Sequence, residues 1–224
     1  MKNNKIIKSI GIILLTVCYT TFFFKIFNIN PTDLSNKKML IYESIANLTL
    51  LIIFIVIYKN TLISDYKEYK KNLVKNLSTS FKYWLIAFII MFLSNYVITN
   101  MLNKTIAGNE DLVRAYINIS PLLMLFNTII YSPIVEELTF RKNIREAINN
   151  KWIYILISGL LFGLLHIISF IKNPIDLIYL IPYGIFGIIF AYLYYKTNNI
   201  YSTITIHVFH NTLAFIIYLL GVSL

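Results

Sequence analysis

The chain has 224 residues, of which 58% are hydrophobic and only 13% are charged, and its formal net charge is +10. So low a charged fraction excludes an ordinary soluble domain and is typical of a polytopic membrane protein. The basic residues lie in short segments between long apolar runs, which favours the membrane surface rather than nucleic acid as the partner of this charge. The only cysteine, Cys18, excludes a disulfide framework or a thiolate metal site.

Seven apolar runs are long enough to cross a membrane as helices, which takes about 20 residues each. They cover residues 6–27, 39–58, 83–102, 116–135, 152–171, 175–195 and 200–222, and the fourth continues as helix beyond residue 135. Within the fourth run, Ser120 as the cap and Pro121 at the first position are a good helix start. The predicted fold is therefore all-α, a polytopic transmembrane helical bundle with about seven spans. The first run follows several lysines, but it is long and no small-residue cleavage site follows it. We therefore expect it to be a retained anchor and not a signal peptide.

The segment 60–82, between the second and third spans, is too polar to cross a membrane. Its apolar residues recur at helical spacing, while its lysines lie largely on other faces of that helix. This pattern predicts one interfacial amphipathic helix on the cytosolic leaflet. A role for these lysines in catalysis or in nucleic-acid binding is the weaker alternative.

The distribution of basic residues orients the predicted bundle. With the N-terminus in the cytosol, the cytosolic segments contain fourteen of the twenty Lys and Arg residues, and the external segments contain six. The positive-inside rule therefore predicts a multi-pass protein of the cell membrane with a cytosolic N-terminus and an external C-terminus. We assign residues 1–115 to an N-terminal group of helices and residues 116–224 to a core that contains the motifs described below.

Small residues distinguish the fifth and sixth spans. Gly159 and Gly163 are four residues apart, on one helix face, and permit the close approach of a neighbouring helix. Pro182, Gly184 and Gly187 predict an irregular and closely packed helix in the next span.

The fourth predicted span continues into the stretch SPIVEELTFR, residues 132–141. Glu137 and Arg141 are four residues apart with the acid first, the favoured order for an ion pair on a helix. Glu136 points about 100° away from Glu137. The arginine is therefore expected to hold Glu137 and to leave Glu136 free for chemistry, and Pro133 is expected to bend the helix. The alternative is a cytosolic helix end with ordinary surface charges.

Two later spans place polar residues at a similar depth. His207 and Asn211 share one helix face, and His166 lies in the fifth span. At about 1.5 Å per residue from the cytosolic helix ends, Glu136 and Asn211 lie about 16 Å deep, His166 about 21 Å and His207 about 10 Å. Each of these groups would be costly to bury alone in an apolar medium, so we expect them to meet in one site. His210 is left without a role.

Taken in order along the chain, the patterns Glu-Glu-x-x-x-Arg, Phe-x-x-x-His and His-x-x-x-Asn resemble the CAAX-protease and bacteriocin-processing (Abi, CPBP) family of intramembrane proteases. The resemblance covers about the last hundred residues, from 120 to 220. It implies a helical membrane bundle, a site that opens toward the cytosol and the hydrolysis of a peptide bond. Eukaryotic members clip prenylated proteins, while many bacterial members are linked to peptide processing or self-immunity.

The residues and the resemblance together predict an intramembrane endopeptidase. Glu136 and His166 would hold and deprotonate a water molecule. His207 and Asn211 would donate hydrogen bonds to the oxyanion of the tetrahedral intermediate. The supporting residues would be Glu137, Arg141 and Phe162.

A metal cofactor is left open at this point. Glu136, His166 and His207 could bind Zn²⁺ with one open position. However, the chain has no His-Glu-x-x-His helix, and Asn211 suits an oxyanion hole better than a ligand set. No cofactor is therefore certain, and zinc is the candidate.

Two other functions are compatible with the same residues. The first is a proton-coupled transporter, although the chain shows no inverted repeat. The second is a non-catalytic immunity protein that binds a peptide. The expected partners are membrane lipids and a peptide or membrane-protein substrate, with no nucleic acid.

Overall fold

The computed structural model describes residues 2–101 and 107–221, and within them the chain forms nine helices and no strand. These are α1 (Lys2–Ile26), α2 (Asn36–Ile57), α3 (Lys59–Lys71), α4 (Leu73–Tyr96), α5 (Gly108–Ile119), α6 (Pro121–Ala147), α7 (Lys151–Ile167), α8 (Leu180–Thr197) and α9 (Ile200–Leu219). Short 3₁₀ turns lie at Pro31–Asp33, Ile168–Phe170 and Pro174–Tyr179. The all-α prediction is confirmed.

Seven of these helices, all except α3 and α5, are long and apolar enough to cross a membrane. The protein is therefore a multi-pass membrane protein with the number of spans that the sequence predicts. The third spanning helix begins at Leu73, ten residues earlier than predicted, and the fourth begins at Pro121 instead of residue 116. The predicted span ends at residues 102 and 222, and Lys104, lie outside the described residues.

The predicted amphipathic helix over residues 60–82 is two helices in the structure. Asn72 leaves the helical region of backbone space, with φ −124° and ψ 42°, and so ends α3. The Asn76 side chain donates to the Tyr69 carbonyl across this break. Residues beyond Asn72 form the first turns of α4, so only α3 keeps the character of a short amphipathic helix.

Helix α5 is an element that the sequence interpretation did not separate from the fourth span. Ser120 is extended, with φ −156° and ψ 93°, and divides α5 from α6. The cause is Pro121 at the first position of α6, because a proline disfavours the helical conformation of the residue before it.

Helix α6 contains two π-helical segments, Phe126–Tyr131 and Glu137–Asn143, on either side of the α-helical turns at Ser132–Glu136. Pro133 lies between these segments and lacks a backbone N–H, so the regular hydrogen-bond ladder cannot continue through it. The expected irregularity at Pro133 is present. It lies next to the paired glutamates, and such local departures from α-helical geometry are frequent at functional sites.

Glycines bring the backbones of α7 and α8 into contact. A Cβ atom added to Gly159 would lie 2.7 Å from the backbone nitrogen of Ile188, and one on Gly163 would lie 2.8 Å from that of Gly184. A Cβ on Gly187 would lie 2.7 Å from the Gly159 carbonyl oxygen. The close approach expected for both spans is therefore present, and no larger residue fits at these crossings.

The bundle has two distinct ends. At one end, which we call the α3 end, Asp65 of α3 accepts a hydrogen bond from the first backbone N–H of α9, at Ile200. At the other end, which we call the α5 end, Arg114 of α5 lies over the ring of Tyr218 near the end of α9. The motif-bearing helices α6, α7 and α9 run between these two ends.

Candidate active site

Glu136 and His166 face each other from the neighbouring helices α6 and α7. Glu136 Oε2 lies 3.8 Å from His166 Nε2, and the two side chains are 14% and 17% exposed. This separation is longer than a direct hydrogen bond but lets one water molecule bind both atoms, each at roughly 2.8 Å. The structure therefore brings together the two residues that were predicted to activate water.

Hydrogen bonds determine which atoms of this pair are available. The Ser132 hydroxyl donates to Glu136 Oε1, whereas Oε2 has no hydrogen-bond partner within the described part of the chain. His166 Nδ1 lies 2.9 Å from the Phe162 carbonyl oxygen. Because a carbonyl can only accept, Nδ1 carries the hydrogen and Nε2 of the neutral ring keeps a free lone pair. An available carboxylate oxygen thus faces an available imidazole nitrogen.

Glu137 occupies a different environment from its neighbour. Arg141 Nε donates to Glu137 Oε2 at 3.0 Å, and Arg141 Nη2 donates to Oε1 at 3.4 Å. His207 Nδ1, on α9, donates to the same Oε1 at 3.0 Å. The side chains of Glu137 and Arg141 are fully buried. The expected ion pair is present, and it also holds the ring of His207.

Arg141 and Phe162 connect this buried group to α7. Arg141 Nη1 donates to the Ser158 hydroxyl at 3.1 Å, and its guanidinium lies 4.7 Å from the centre of the Phe162 ring. The Phe162 ring in turn lies 4.5 Å from that of His166 and 6.0 Å from that of His207. Phe162 therefore separates the two histidines and packs against both.

Asn211 lines the same cavity as Glu136 and His166, but its amide is partly engaged. Its Nδ2 donates to the Thr128 carbonyl at 2.7 Å. Only one of its two amide hydrogens is therefore available to a substrate. His207 is limited in the same way, because Nδ1 is bound to Glu137 and only Nε2 can act in the cavity.

The structure adds residues that the sequence interpretation missed. The Tyr183 ring, on α8, stacks on His166 with ring centres 5.0 Å apart and planes inclined by 21°. Trp84 Nε1 donates to Nδ1 of His210 at 3.3 Å, which places that histidine at the cavity wall. Ser132 was quoted within a motif but received no role. Ser132 is four residues before Glu136 on the same helix, so that contact could have been predicted from spacing. The contacts of Tyr183 and Trp84 depend on helix packing, and no spacing along the chain indicates them.

The zinc candidate can be compared with this geometry. Glu136 and His166 face each other, whereas His207 turns its Nδ1 toward Glu137. Across residues 2–101 and 107–221, no three His, Cys, Asp or Glu side chains are grouped so that they could hold a metal ion. The arrangement therefore does not fit a zinc centre with three protein ligands.

The site residues line a cavity of about 290 Å³ that extends from Glu136 toward the α5 end of the bundle. Its outer wall includes Asn109, Arg114 and Tyr218, which belong to that end. The family resemblance implies a site open to the cytosol, whereas the basic residues predict that the α5 end is external. In this structure those two expectations conflict.

The fold and the site define a multi-pass helical membrane protein with a Glu–His pair at mid-span. The family model described as "Type II CAAX prenyl endopeptidase Rce1-like" matches residues 118–213, which include every motif residue from Glu136 to Asn211. The chain is 30% identical over 167 residues to UPF0177 protein YxdF of Lactococcus lactis, covering 71% of this chain and 86% of YxdF. It therefore belongs to the CAAX-protease and bacteriocin-processing family of membrane proteases.

Two further relatives match over smaller shares of their own length. UPF0177 protein YvdC of Lactococcus lactis is 27% identical over 178 residues, which cover 74% of this chain and 65% of YvdC. The Bacillus subtilis protein named "Putative membrane peptidase YdiL" is 33% identical over 114 residues, which cover 50% of this chain and 43% of YdiL. No solved structure matches the chain.

Proposed function

We propose that the protein is an intramembrane endopeptidase of the cell membrane that hydrolyses a peptide bond with a water molecule activated by Glu136 and His166. The observation that supports this most directly is the available Glu136 Oε2 facing His166 Nε2 at 3.8 Å on a cavity wall. A positioned carboxylate or imidazole that accepts a proton in the transition state contributes about 10²–10⁴-fold to a rate. Residues 116–224 would form the protease core, with residues 1–115 as additional helices.

In this proposal the water molecule donates one hydrogen bond to Glu136 Oε2 and one to His166 Nε2. As the water oxygen attacks the carbonyl carbon of the substrate, its proton passes to Glu136. The protonated carboxyl group then gives that proton to the nitrogen of the leaving peptide, which breaks the C–N bond. The Ser132 hydroxyl holds Oε1 of the same carboxylate, so the reacting oxygen stays aimed at the cavity.

His207 and Asn211 would stabilise the negative charge on the carbonyl oxygen. Both line the cavity: Asn211 retains one amide hydrogen, and His207 retains Nε2. Donation from His207 Nε2 requires a proton on both ring nitrogens, and the carboxylate of Glu137 lies 3.0 Å from the other one to compensate that charge. Glu137 and Arg141 would act by positioning His207 and not by touching the substrate.

The surroundings of the cavity favour a substrate with an apolar segment. A second cavity, also of about 290 Å³, lies between α4, α5, α8 and α9 and is lined largely by apolar side chains. It shares wall residues with the catalytic cavity, among them Met91, His210 and Ala214. A membrane-associated peptide or membrane protein could therefore occupy both at once. Cleavage of such a substrate would serve peptide or bacteriocin processing, self-immunity or CAAX-type processing.

The test uses purified protein in detergent with a peptide library, with products read by mass spectrometry. The wild type is compared with Glu136→Gln, which keeps the side-chain shape and removes the carboxylate. The matched control is Glu68→Gln on α3, because Glu68 is exposed and lies outside the cavity. We expect cleavage by the wild type and by the control but not by Glu136→Gln. A wild type that cleaves no peptide, or a Glu136→Gln variant as active as wild type, would refute the proposal.

A further inference from the structure

The open space around the site lies in one half of the bundle. The catalytic cavity is bounded by Asn109, Glu110 and Arg114 of α5 and by Tyr218 at the end of α9. None of its wall residues in the described chain comes from α3, from the connection between α6 and α7, or from the connection between α8 and α9. The cavity thus approaches the α5 end and is closed toward the α3 end.

A separate cavity reaches the same histidine from the same end. This space of about 210 Å³ borders His166 on one side and Gly108, Asp111 and Lys172 on the other. Asp111 is exposed, and Gly108 begins α5. Both described spaces that touch His166 therefore lead to the α5 end.

Tightly packed side chains close the cavity toward the α3 end. Arg141, Leu138 and Phe140 lie directly beyond the paired glutamates on α6, and each is at most 1% exposed. Tyr154 of α7 and Phe190 of α8 are equally buried at that level of the bundle. A peptide could not reach Glu136 from the α3 end without displacing this core.

Charge distinguishes the two ends of the bundle with respect to the membrane. Among the described residues, fourteen Lys and Arg residues belong to the α3 end and five belong to the α5 end. The end of a multi-pass protein with the excess of basic residues faces the cytosol. By this rule the α3 end is cytosolic and the α5 end is external.

We infer that the catalytic cavity opens on the external face of the membrane, so that the substrate is a peptide segment presented outside the cytosol. An exported peptide, or the external part of a membrane-inserted peptide, would be presented in this way. The substrate class rests on the proposed peptidase function, whereas the side on which the cavity opens does not. This orientation differs from the cytosolic opening that the family resemblance implies.

Single cysteines test the side of the opening in intact cells. Cys18→Ser removes the only native thiol. In that background, cysteines are introduced at Val113, which lines the cavity, at Ala115, which is exposed on α5, and at Asn149, which is exposed at the α3 end. A membrane-impermeant maleimide is added before or after permeabilisation. We expect the thiols at 113 and 115 to react in intact cells, and the thiol at 149 to react only after permeabilisation. Reaction at 149 in intact cells, or no reaction at 113 from outside, would overturn the inference.

The same labelled proteins test whether the substrate reaches the site through this opening. A bulky maleimide on the thiol at 113 should block cleavage in the peptide-library assay, because it fills the cavity. The maleimide on the thiol at 115 should leave cleavage unchanged, since Ala115 is not part of the cavity wall. Equal cleavage by both labelled proteins would overturn the inference that substrate enters here. If the wild type cleaves nothing, the proposed function fails while the labelling pattern still reports the side of the opening.

Discussion

The adjacent glutamates should respond in opposite ways to the same substitution. In Glu137→Gln, one of the two carboxylate oxygens becomes an NH₂ group. Oε1 accepts from His207 Nδ1 and from Arg141 Nη2, and Oε2 accepts from Arg141 Nε. Whichever way the amide turns, its NH₂ group faces an N–H donor, and Arg141 loses its counter-charge in a fully buried position. Breaking a buried ion pair costs about 3–5 kcal/mol, so we expect a large loss of stability.

Glu136→Gln should leave the fold intact. The amide oxygen can take the place of Oε1 and accept from Ser132, while the NH₂ group takes the place of Oε2, which has no hydrogen-bond partner in the described chain. No described hydrogen bond is lost, so the free energy of unfolding should stay close to that of the wild type, well short of the loss expected for Glu137→Gln. Cleavage should nevertheless be abolished.

Thermal unfolding of the purified proteins in detergent, combined with the peptide-library assay, measures both effects. Arg141→Ala should resemble Glu137→Gln, because it leaves the carboxylate buried without its partner. The assignment would be reversed if Glu136→Gln still cleaved peptides while a stably folded Glu137→Gln did not. The electrostatic reasoning would fail if Glu137→Gln unfolded at the wild-type temperature.

Three other outcomes are expected. Strong chelators should leave cleavage intact and elemental analysis should find less than stoichiometric zinc; loss of activity with rescue by one metal would contradict this. Reporter fusions after Lys75 and Leu224 should lie on opposite sides of the membrane, and the same side for both would exclude the predicted topology. Gly163→Leu should lower the melting temperature, because its Cβ would meet the backbone of Gly184 at 2.8 Å and overpacking costs about 1–3 kcal/mol. Gly11→Leu is its control, with open space at the Cβ position.

Contacts within one helix could be predicted from the sequence. Glu137 and Arg141 are four residues apart, and this spacing alone placed them together even though they lie in a π-helical segment. The seven spans could also be predicted, because a long apolar run in a membrane protein has few alternatives to a membrane-spanning helix. Helix ends were less predictable. Asn72 ends α3 within a pattern that continued at helical spacing. The helix start at Ser120 and Pro121 was predictable from the cap residue and the proline, whereas the separate helix α5 before it was not.

Contacts between helices required the structure. Depth along each helix suggested that Glu136 and His166 meet, but rotation about the helix axes is not encoded in spacing. His207 was expected to act on the substrate, but its second contact was not foreseen. Its Nδ1 is bound to Glu137, seventy residues away in the chain. The direction in which the cavity opens could not be predicted from the sequence either, since it depends on how α5 packs against the end of α9.

Glu136 and Glu137 are chemically identical, so only their hydrogen-bond partners make one of them structural and leave the other available for chemistry. Glu137 has donors on both oxygens, contributed by α6 and α9, and through Arg141 it is coupled to α7. This carboxylate is fully buried and bound on both oxygens, so it does not face a water molecule in the cavity, but it fixes three motif-bearing helices relative to one another. Glu136 has one oxygen held and one available, next to a histidine whose hydrogen-bonded Nδ1 leaves Nε2 available. The rigid pair and the available pair depend on each other, because the 3.8 Å separation that would bind a water molecule persists only if α6 and α7 cannot move apart.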